Sequence, residues 1–316
     1  MSGEIRRAAE ILRAGGLVAF PTETVYGLGA DASSPAAIAR LYAAKRRPVD
    51  HPVIVHFADA ARAFEWAREI PEAAKKLAAR FWPGPLTLIL KRSERARDYV
   101  TGGQDTIGVR VPSHPVARAM LEAFGDGVAA PSANRFGKVS ATSAAHARED
   151  LGEDADLVLE GGSSEIGIES TILDLSRGKP VLVRPGRISA AELEAVLGEP
   201  VAQSEAQAPR APGTLERHYA PRTPARLIAP HALDAEIGRA GGRAAVLAFS
   251  RPDEPVDYWL RMPRDPRGYA QRLYAALREL DAAQRELILI ESPPDTPEWS
   301  AVLDRLRRAT AYGTSR

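Results

Sequence analysis

Five prolines between Pro200 and Pro224, separated mainly by Gln, Ser and Ala, divide this 316-residue chain in two. Proline fixes φ and offers no N–H, so the stretch suits neither a helix interior nor a central strand and reads as an extended linker. The chain is also long for a single hydrophobic core. The expected layout is a domain over 1–199, a linker over 200–224 and a small domain over 225–316. Within the linker, PGTLERHYAP (212–221) places His218 beside Tyr219. A mechanical spacer has little use for an aromatic pair, so Pro212 to Pro221 is expected to lie across a crevice as a lid.

The first domain mixes short strands with helices. Ile5, Ala8, Ala9 and Leu12 recur at helical spacing, and Gly15-Gly16 stops that helix. Ser34-Pro35 is a helix start, with Ile38, Leu41 and Tyr42 as its buried stripe and Pro48 as its end. Further helices are expected to open near Asp59 and Pro71 and to cover about 115–124, 143–150 and 189–197. Strands are expected at 17–20, 53–57, 87–90, 106–111, 127–130, 157–159, 171–175 and 181–184. Strands often arrive in succession, which predicts an α/β domain with a mixed sheet in place of a regular βαβ array. After the linker, strands at 225–229, 243–249, 256–262 and 286–291 alternate with helices near 231–240, 265–281 and 297–310. That pattern predicts a small three-layer α/β domain with a mostly parallel sheet.

What the chain lacks narrows its chemistry. It has no cysteine, which excludes disulfides, thiol nucleophiles and sulfur-held zinc. Its six histidines show no metal-ligand spacing, so no protein-held metal is expected; magnesium brought in by a nucleotide stays compatible. A net charge of +1 gives no global field toward nucleic acid. No apolar run approaches the roughly 20 residues that span a bilayer, and the N-terminus carries acids at helical spacing, so the expected location is the cytoplasm, away from membranes.

Two nucleotide motifs can be set aside. Gly27-Leu28-Gly29-Ala30-Asp31-Ala32 fits G-x-G-x-x-A, but Pro21 to Tyr26 separate it from the preceding strand and no acid ends the next one. These glycines are expected to form a close turn beneath a site. Gly137-Lys138 resembles the end of a P-loop, yet Ser132 and Val139 occupy its required positions. What remains is a scatter of cations, hydroxyls and glycines at strand ends: Lys45, Arg47, Arg110, Arg184, Pro131-Ser132-Ala133-Asn134 and Glu169-Ser170-Thr171. A helix N-terminus contributes about 0.3–1 kcal/mol to an anion. A hydrogen bond to a charged group is worth about 1.5–3 kcal/mol, so side chains would dominate an anion-binding crevice here.

FPTETVYGLGADA (20–32), AKRRP (44–48), HPVIVHF (51–57), FWPGPLTLIL (81–90), GVRVPSHP (108–115), APSAN (130–134), GIESTILDL (167–175), VRPGRI (183–188) and HYAP (218–221) occur in this order. Together they resemble the two-domain threonylcarbamoyl-AMP synthase family, whose catalytic domain is YrdC-like. The resemblance implies an α/β fold with a twisted mixed sheet and flanking helices, joined to the small C-terminal domain.

The resemblance further implies a nucleotidyltransferase that converts L-threonine, bicarbonate and ATP, with Mg2+, to threonylcarbamoyl-AMP and pyrophosphate. That product feeds a tRNA modification completed by a downstream threonylcarbamoyl transferase machinery. Carried over by motif, Thr24, His56, Arg110, Ala130 and Ser170 would hold threonine, with Arg110 facing its carboxylate. Arg47, His51, Thr106, Ser132, Ser140, Arg184 and Tyr219 would contact ATP. Lys45 and Arg47 would supply catalytic charge near the phosphates. An RNA-binding module of the same fold is the alternative, in which Lys45 to Arg47 would make a weak tRNA contact. Near-zero net charge and the lack of aromatic-basic interleaving count against it. Carbamoyl transfer of the hydrogenase-maturation kind calls for cysteine-rich zinc fingers, which a cysteine-free chain cannot build.

Overall fold

The computed structural model describes residues 2–203 and 209–311. By Cα proximity the chain divides into two compact units, one of residues 1–136 and 141–214, the other of 137–140 and 215–316. Each is described in turn.

The first unit opens with α1 (Ser2–Arg13), whose buried Ile5, Ala8, Ala9 and Leu12 form the expected stripe, and β1 (Val18–Phe20). Next comes β2 (Gly27–Asp31), a strand where a turn was expected. It pairs antiparallel with β1, and Gly29 explains the glycine. A Cβ there would stand 2.8 Å from Val128 Cγ1 and 2.9 Å from the Phe20 ring, so close packing across the sheet, with no bend in the backbone, requires glycine.

Helix α2 (Pro35–Lys45) starts as expected, Ser34 Oγ accepting the Ala37 N–H, but it stops before Pro48 because Arg46 takes the left-handed conformation. Then follow β3 (Ile54–His56), α3 (Ala60–Glu65), α4 (Glu72–Phe81), β4 (Leu86–Lys91), a short α5 (Asp98–Thr101) and β5 (Thr106–Arg110). Helix α6 (Pro115–Phe124) leads to β6 (Val128–Ala129), α7 (Ala144–Leu151) and β7 (Leu157–Val158). The unit continues with β8 (Thr171–Asp174), β9 (Val181–Arg184), α8 (Ala190–Leu197) and β10 (Ala202–Gln203). Helix α8 is fixed by a reciprocal capping box between Ser189 and Glu192.

Among the described residues these strands make one mixed sheet in the order β10-β9-β8-β4-β5-β3-β6-β2-β1-β7. Side-chain alternation gives its two faces different fates. Val55, Leu88, Leu90, Ile107, Val109 and Leu173 join the main core with Ile38 and Leu41 of α2 and Leu77 of α4. On the opposite face, α1 and α6 pack over Val18, Phe20 and Val128. The remainder of that face is a strip of Ile54, Ile89, Ile172 and Val183, closed by Ala211. The alternation also puts His56, Thr87, Thr106 and Arg110 on this second face. The linker expected over 200–224 is thus partly built into the unit: β10 pairs with β9, and Ala211 is buried. Its residues 204–208 lie outside the described residues.

The second unit holds β11 (Ala225–Ile228), α9 (Leu233–Ala240), β12 (Ala244–Ala248), β13 (Tyr258–Arg261), α10 (Pro266–Ala282), β14 (Leu287–Glu291) and α11 (Ser300–Ala309). The sheet order is β11-β14-β12-β13, and every pairing is parallel. Ala244, Val246 and Ala248 pack with Leu233 and Ile237 of α9, while Ala245 and Leu247 are buried on the other side, with α10 against β12. Burial of both faces accounts for the unbroken apolar run of β12. No helix among the described residues is long and apolar enough to cross a membrane.

Candidate active site

The second face of the large sheet gathers most of the expected residues. Parallel β3 and β5 set His56 beside Arg110 in register, and His56 lies opposite Val128 of β6. Both side chains are nearly inaccessible, at 4% exposure. Arg110 Nη1 donates to Thr24 Oγ1 at 3.0 Å, Nη2 to Glu23 Oε1 at 2.6 Å and Nε to the Gly84 carbonyl at 3.2 Å. A guanidinium has five N–H groups, so one on each Nη has no acceptor among the described residues. Those two N–H groups are donors of the kind that bind a carboxylate.

The Thr22 hydroxyl lies 2.6 Å from the Val25 carbonyl and 2.8 Å from the Thr24 hydroxyl. With Arg110 and Thr22 as partners, Thr24 keeps one further hydrogen-bonding position for a ligand. His56 is neutral: burial, with the Arg110 charge adding, lowers its pKa to about 3. Its Nδ1 is buried without a hydrogen-bond partner among the described residues.

Ser170 joins this group through β4 and β8. The Thr171 N–H donates to the Pro85 carbonyl at 3.0 Å, next to the Gly84 that holds Arg110. Ser170 Oγ lies 2.8 Å from Thr87 Oγ1, and Arg184 at the end of β9 donates to the Ser170 carbonyl and hydroxyl. Ala130 follows β6, its N–H taken by the Ile54 carbonyl at 3.0 Å.

A second cluster surrounds the loop after β6. The Lys45 ammonium is buried and donates to the carbonyls of Ser132 and Asn134. Burial first, then repulsion from Arg47, holds it well below the usual lysine range. The Phe136 N–H donates to the Lys45 carbonyl at 2.9 Å. Arg47 packs its guanidinium 5.2 Å from the Phe136 ring centre, and His51 meets the same ring edge-on at 5.4 Å. Burial and the neighbouring Arg47 lower the His51 pKa. Phe136 is the member of this cluster that sequence reasoning missed; its ring between Arg47 and His51 comes from a loop with no periodic pattern to flag it.

Thr106 opens β5 and lines a recess with Pro52, Gln104, Gly108 and Thr87, over which Arg210, Ala211 and Pro212 lie. That cover is latched by paired amide contacts. The Arg210 N–H donates to Gln104 Oε1 at 2.7 Å, and Gln104 Nε2 donates to the Arg210 carbonyl at 3.1 Å. Arg184 Nη1 adds a bond to the Pro212 carbonyl at 2.7 Å.

The first unit thus brings Thr24, His56, Arg110, Ala130 and Ser170 onto neighbouring strand ends, with Thr106 and Arg184 on flanking strands and Lys45, Arg47, His51 and Ser132 around one loop. Ser140 and Tyr219 belong to the second unit. There, Arg278 donates to the Val139 carbonyl at 2.7 Å and to the Ser140 carbonyl at 3.4 Å. Tyr219, at a left-handed φ of 61°, stacks on Tyr274 at 5.7 Å with Arg305 5.4 Å from its ring centre.

Comparison with known proteins finds matches along both units. A family model described as telomere recombination matches residues 10–186, and one described as the threonylcarbamoyl-AMP synthase C-terminal domain matches 188–311. The chain is 40% identical over 323 residues to the threonylcarbamoyl-AMP synthase of Pyrococcus abyssi, covering 98% of this chain and 94% of that one. It is 39% identical over 320 residues to that of Bacillus subtilis, covering 97% and 92%. The crystal structure of Pyrococcus abyssi Sua5 complexed with L-threonine superposes with a TM-score of 0.93 at 39% identity, covering 99% of this chain and 95% of that one.

Proposed function

The chain belongs to the threonylcarbamoyl-AMP synthase family, and from that premise we propose that it joins L-threonine, bicarbonate and ATP into threonylcarbamoyl-AMP. It acts as a nucleotidyltransferase, the AMP moiety passing from ATP to a carbamate. The amine of threonine takes up the carbon of bicarbonate, the new C–N bond forming as the bicarbonate hydroxyl and an amine proton leave as water. A carbamate oxygen then bonds to the α-phosphorus as the bond to the departing pyrophosphate breaks. The steps need no covalent enzyme intermediate, and the site supplies positioning and charge.

The observation that carries this reading is the buried Arg110 guanidinium, with one uncommitted N–H on each Nη, beside the Thr24 hydroxyl. A carboxylate fits those N–H groups, and an amine or hydroxyl fits the remaining hydrogen-bonding position of Thr24. L-Threonine carries all three groups. His56 and Ser170 complete that pocket, and the Ala130 backbone borders it.

ATP would lie toward Lys45, Arg47, His51, Thr106, Ser132 and Arg184, and the family resemblance adds Ser140 and Tyr219 to its contacts. Lys45 and Arg47 are the cations proposed to act on the phosphates, Lys45 chiefly through the Ser132 loop that it holds. This donor set of cations and hydroxyls suits phosphate oxygens. A magnesium ion would ride on the ATP phosphates and neutralise part of their charge. The segment over the Thr106 recess supports a cover that keeps water from a hydrolysable mixed anhydride.

The test is direct. The protein is incubated with ATP, magnesium, bicarbonate and L-threonine, and pyrophosphate and the adenylate are followed. Pyrophosphate release that depends on threonine and bicarbonate is expected. Release indifferent to both overturns the proposal. Steep, salt-dependent tRNA affinity without ATP turnover would favour the RNA-binding alternative instead.

A further inference from the structure

Glu23 has no part in the reading above, although it touches the centre of the site. Its side chain is 5% exposed and pairs with Arg110 Nη2 at 2.6 Å. Its second oxygen accepts the Ser113 N–H at 3.1 Å, and its own carbonyl accepts the Ile166 N–H at 2.8 Å. The carboxylate is therefore anchored from two sides before any ligand arrives.

Stability is a poor explanation for this pair. Removing two charges from water costs several kcal/mol per ion, and their attraction commonly does little more than offset that cost. What the pair does achieve is orientation. An arginine side chain loses up to about 1.5–2 kcal/mol of rotamer entropy on being fixed, and a substrate would otherwise have to impose that order. Here the order is imposed by one short turn. Thr22 Oγ1 accepts the N–H groups of Thr24 and Val25, both at 3.2 Å, so residues 22–25 are held as a unit. That turn presents Glu23 to Nη2 and Thr24 to Nη1 of the same guanidinium.

We infer that Glu23 is the positioning residue for Arg110, fixing the guanidinium plane so that its uncommitted N–H pair meets the substrate carboxylate. This rests on the reading that Arg110 receives the carboxylate of threonine. Glu23 acts through Arg110 and needs no contact with substrate. Its effect therefore falls on threonine recognition, leaves ATP recognition alone, and disappears when Arg110 no longer offers a fork.

The experiment is a double-variant cycle on the full chain, with steady-state pyrophosphate release read against each substrate. Glu23→Asp keeps the charge and withdraws the carboxylate by one methylene. It is expected to raise the threonine KM about tenfold, equivalent to about 1.4 kcal/mol, with the ATP KM changed less than about twofold. Arg110→Lys, which has no fork, should raise the threonine KM by itself. In that background, Glu23→Asp should add less than about twofold. An unchanged threonine KM in Glu23→Asp, equal rises in both KM values, or effects that multiply in the double variant would overturn the inference. A threonine KM unmoved by Arg110→Lys would instead overturn the carboxylate assignment itself. Should Glu23→Asp fail to fold by thermal melting, the shape-preserving Glu23→Gln passes through the same cycle under the same criteria.

Discussion

Arg184 grips Ser170 at two atoms: Nε and Nη2 donate to its carbonyl at 3.1 and 3.0 Å, and Nη2 also reaches its hydroxyl at 3.2 Å. A residue assigned to ATP thus orients one assigned to threonine. Hydrogen bonds to a charged group contribute about 1.5–3 kcal/mol each. Arg184→Ala should therefore raise the KM of both substrates, threonine by about tenfold or more. Arg110→Ala should raise that of threonine alone. Varying each substrate in a pyrophosphate-release assay separates the two. If Arg184→Ala spares threonine, the coupling through Ser170 is absent.

Lys45 spends its ammonium on two backbone carbonyls, those of Ser132 and Asn134. Lys45→Met keeps the stem and removes both bonds to the loop, while the Ser132 carbonyl keeps the Asn134 N–H, for a loss of about 1–3 kcal/mol in all. Urea unfolding should report that loss, and the ATP KM should rise more than the threonine KM because Ser132 loses its support. A variant of unchanged stability would contradict the contacts described.

His56 makes stability depend on pH with a definite sign. Its folded pKa is lowered to about 3, against an ordinary value of 6.5, so the unfolded chain takes up the proton first on acidification. Its contribution is fully present above about pH 6.5 and is lost as pH falls toward 3. Urea midpoints at pH 7.5 and pH 5 should therefore differ less in His56→Asn than in the natural sequence. Equal differences would show that folding does not lower the His56 pKa.

Much of the fold could be read from periodicity, because burial imposes it. The sequence Thr106-Ile107-Gly108-Val109-Arg110 alternates between the two faces of β5, and Ile107 and Val109 do enter the main core. A helix with a strong cap, such as α2, was legible from Ser34-Pro35. Strand β2 was not, since glycine carries the signal of a turn, and its need here comes from Phe20 and Val128, distant in sequence. Likewise no local pattern could show that Glu23 pairs with Arg110 or that Phe136 stands between Arg47 and His51. Those contacts depend on which strands become neighbours.

The cover over the Thr106 recess hangs on the side-chain amide of Gln104. Gln104→Ala removes both bonds and leaves the Arg210 contacts to the Gly102 carbonyl and Asp50. Tryptic cleavage after Arg210, followed by mass spectrometry, should become severalfold faster. Cleavage at the original rate would mean that the segment is held mainly by Ala211 and Arg184.

Gly186 lies against the backbone that carries Ser170. A Cβ there would stand 2.4 Å from the Thr171 nitrogen and 2.8 Å from the Ser170 carbonyl carbon, and backbone cannot yield as a flexible side chain can. Gly186→Ala should cost about 1–3 kcal/mol in a urea titration, as overpacking does. It should also weaken threonine use. Full stability would place Ser170 farther from Gly186 than described.

Residues 137–140 fall within the first domain by sequence order and within the second unit in space. The Ala220 N–H donates to the Gly137 carbonyl at 3.0 Å, and Arg278 holds the Val139 carbonyl at 2.7 Å. During synthesis, this tetrapeptide leaves the ribosome long before either of those residues exists. It must wait, with its carbonyls in water, until the end of the chain arrives to claim it. The smaller unit is therefore not a cassette that could be excised or grafted at one junction: part of it is written into the middle of the larger one.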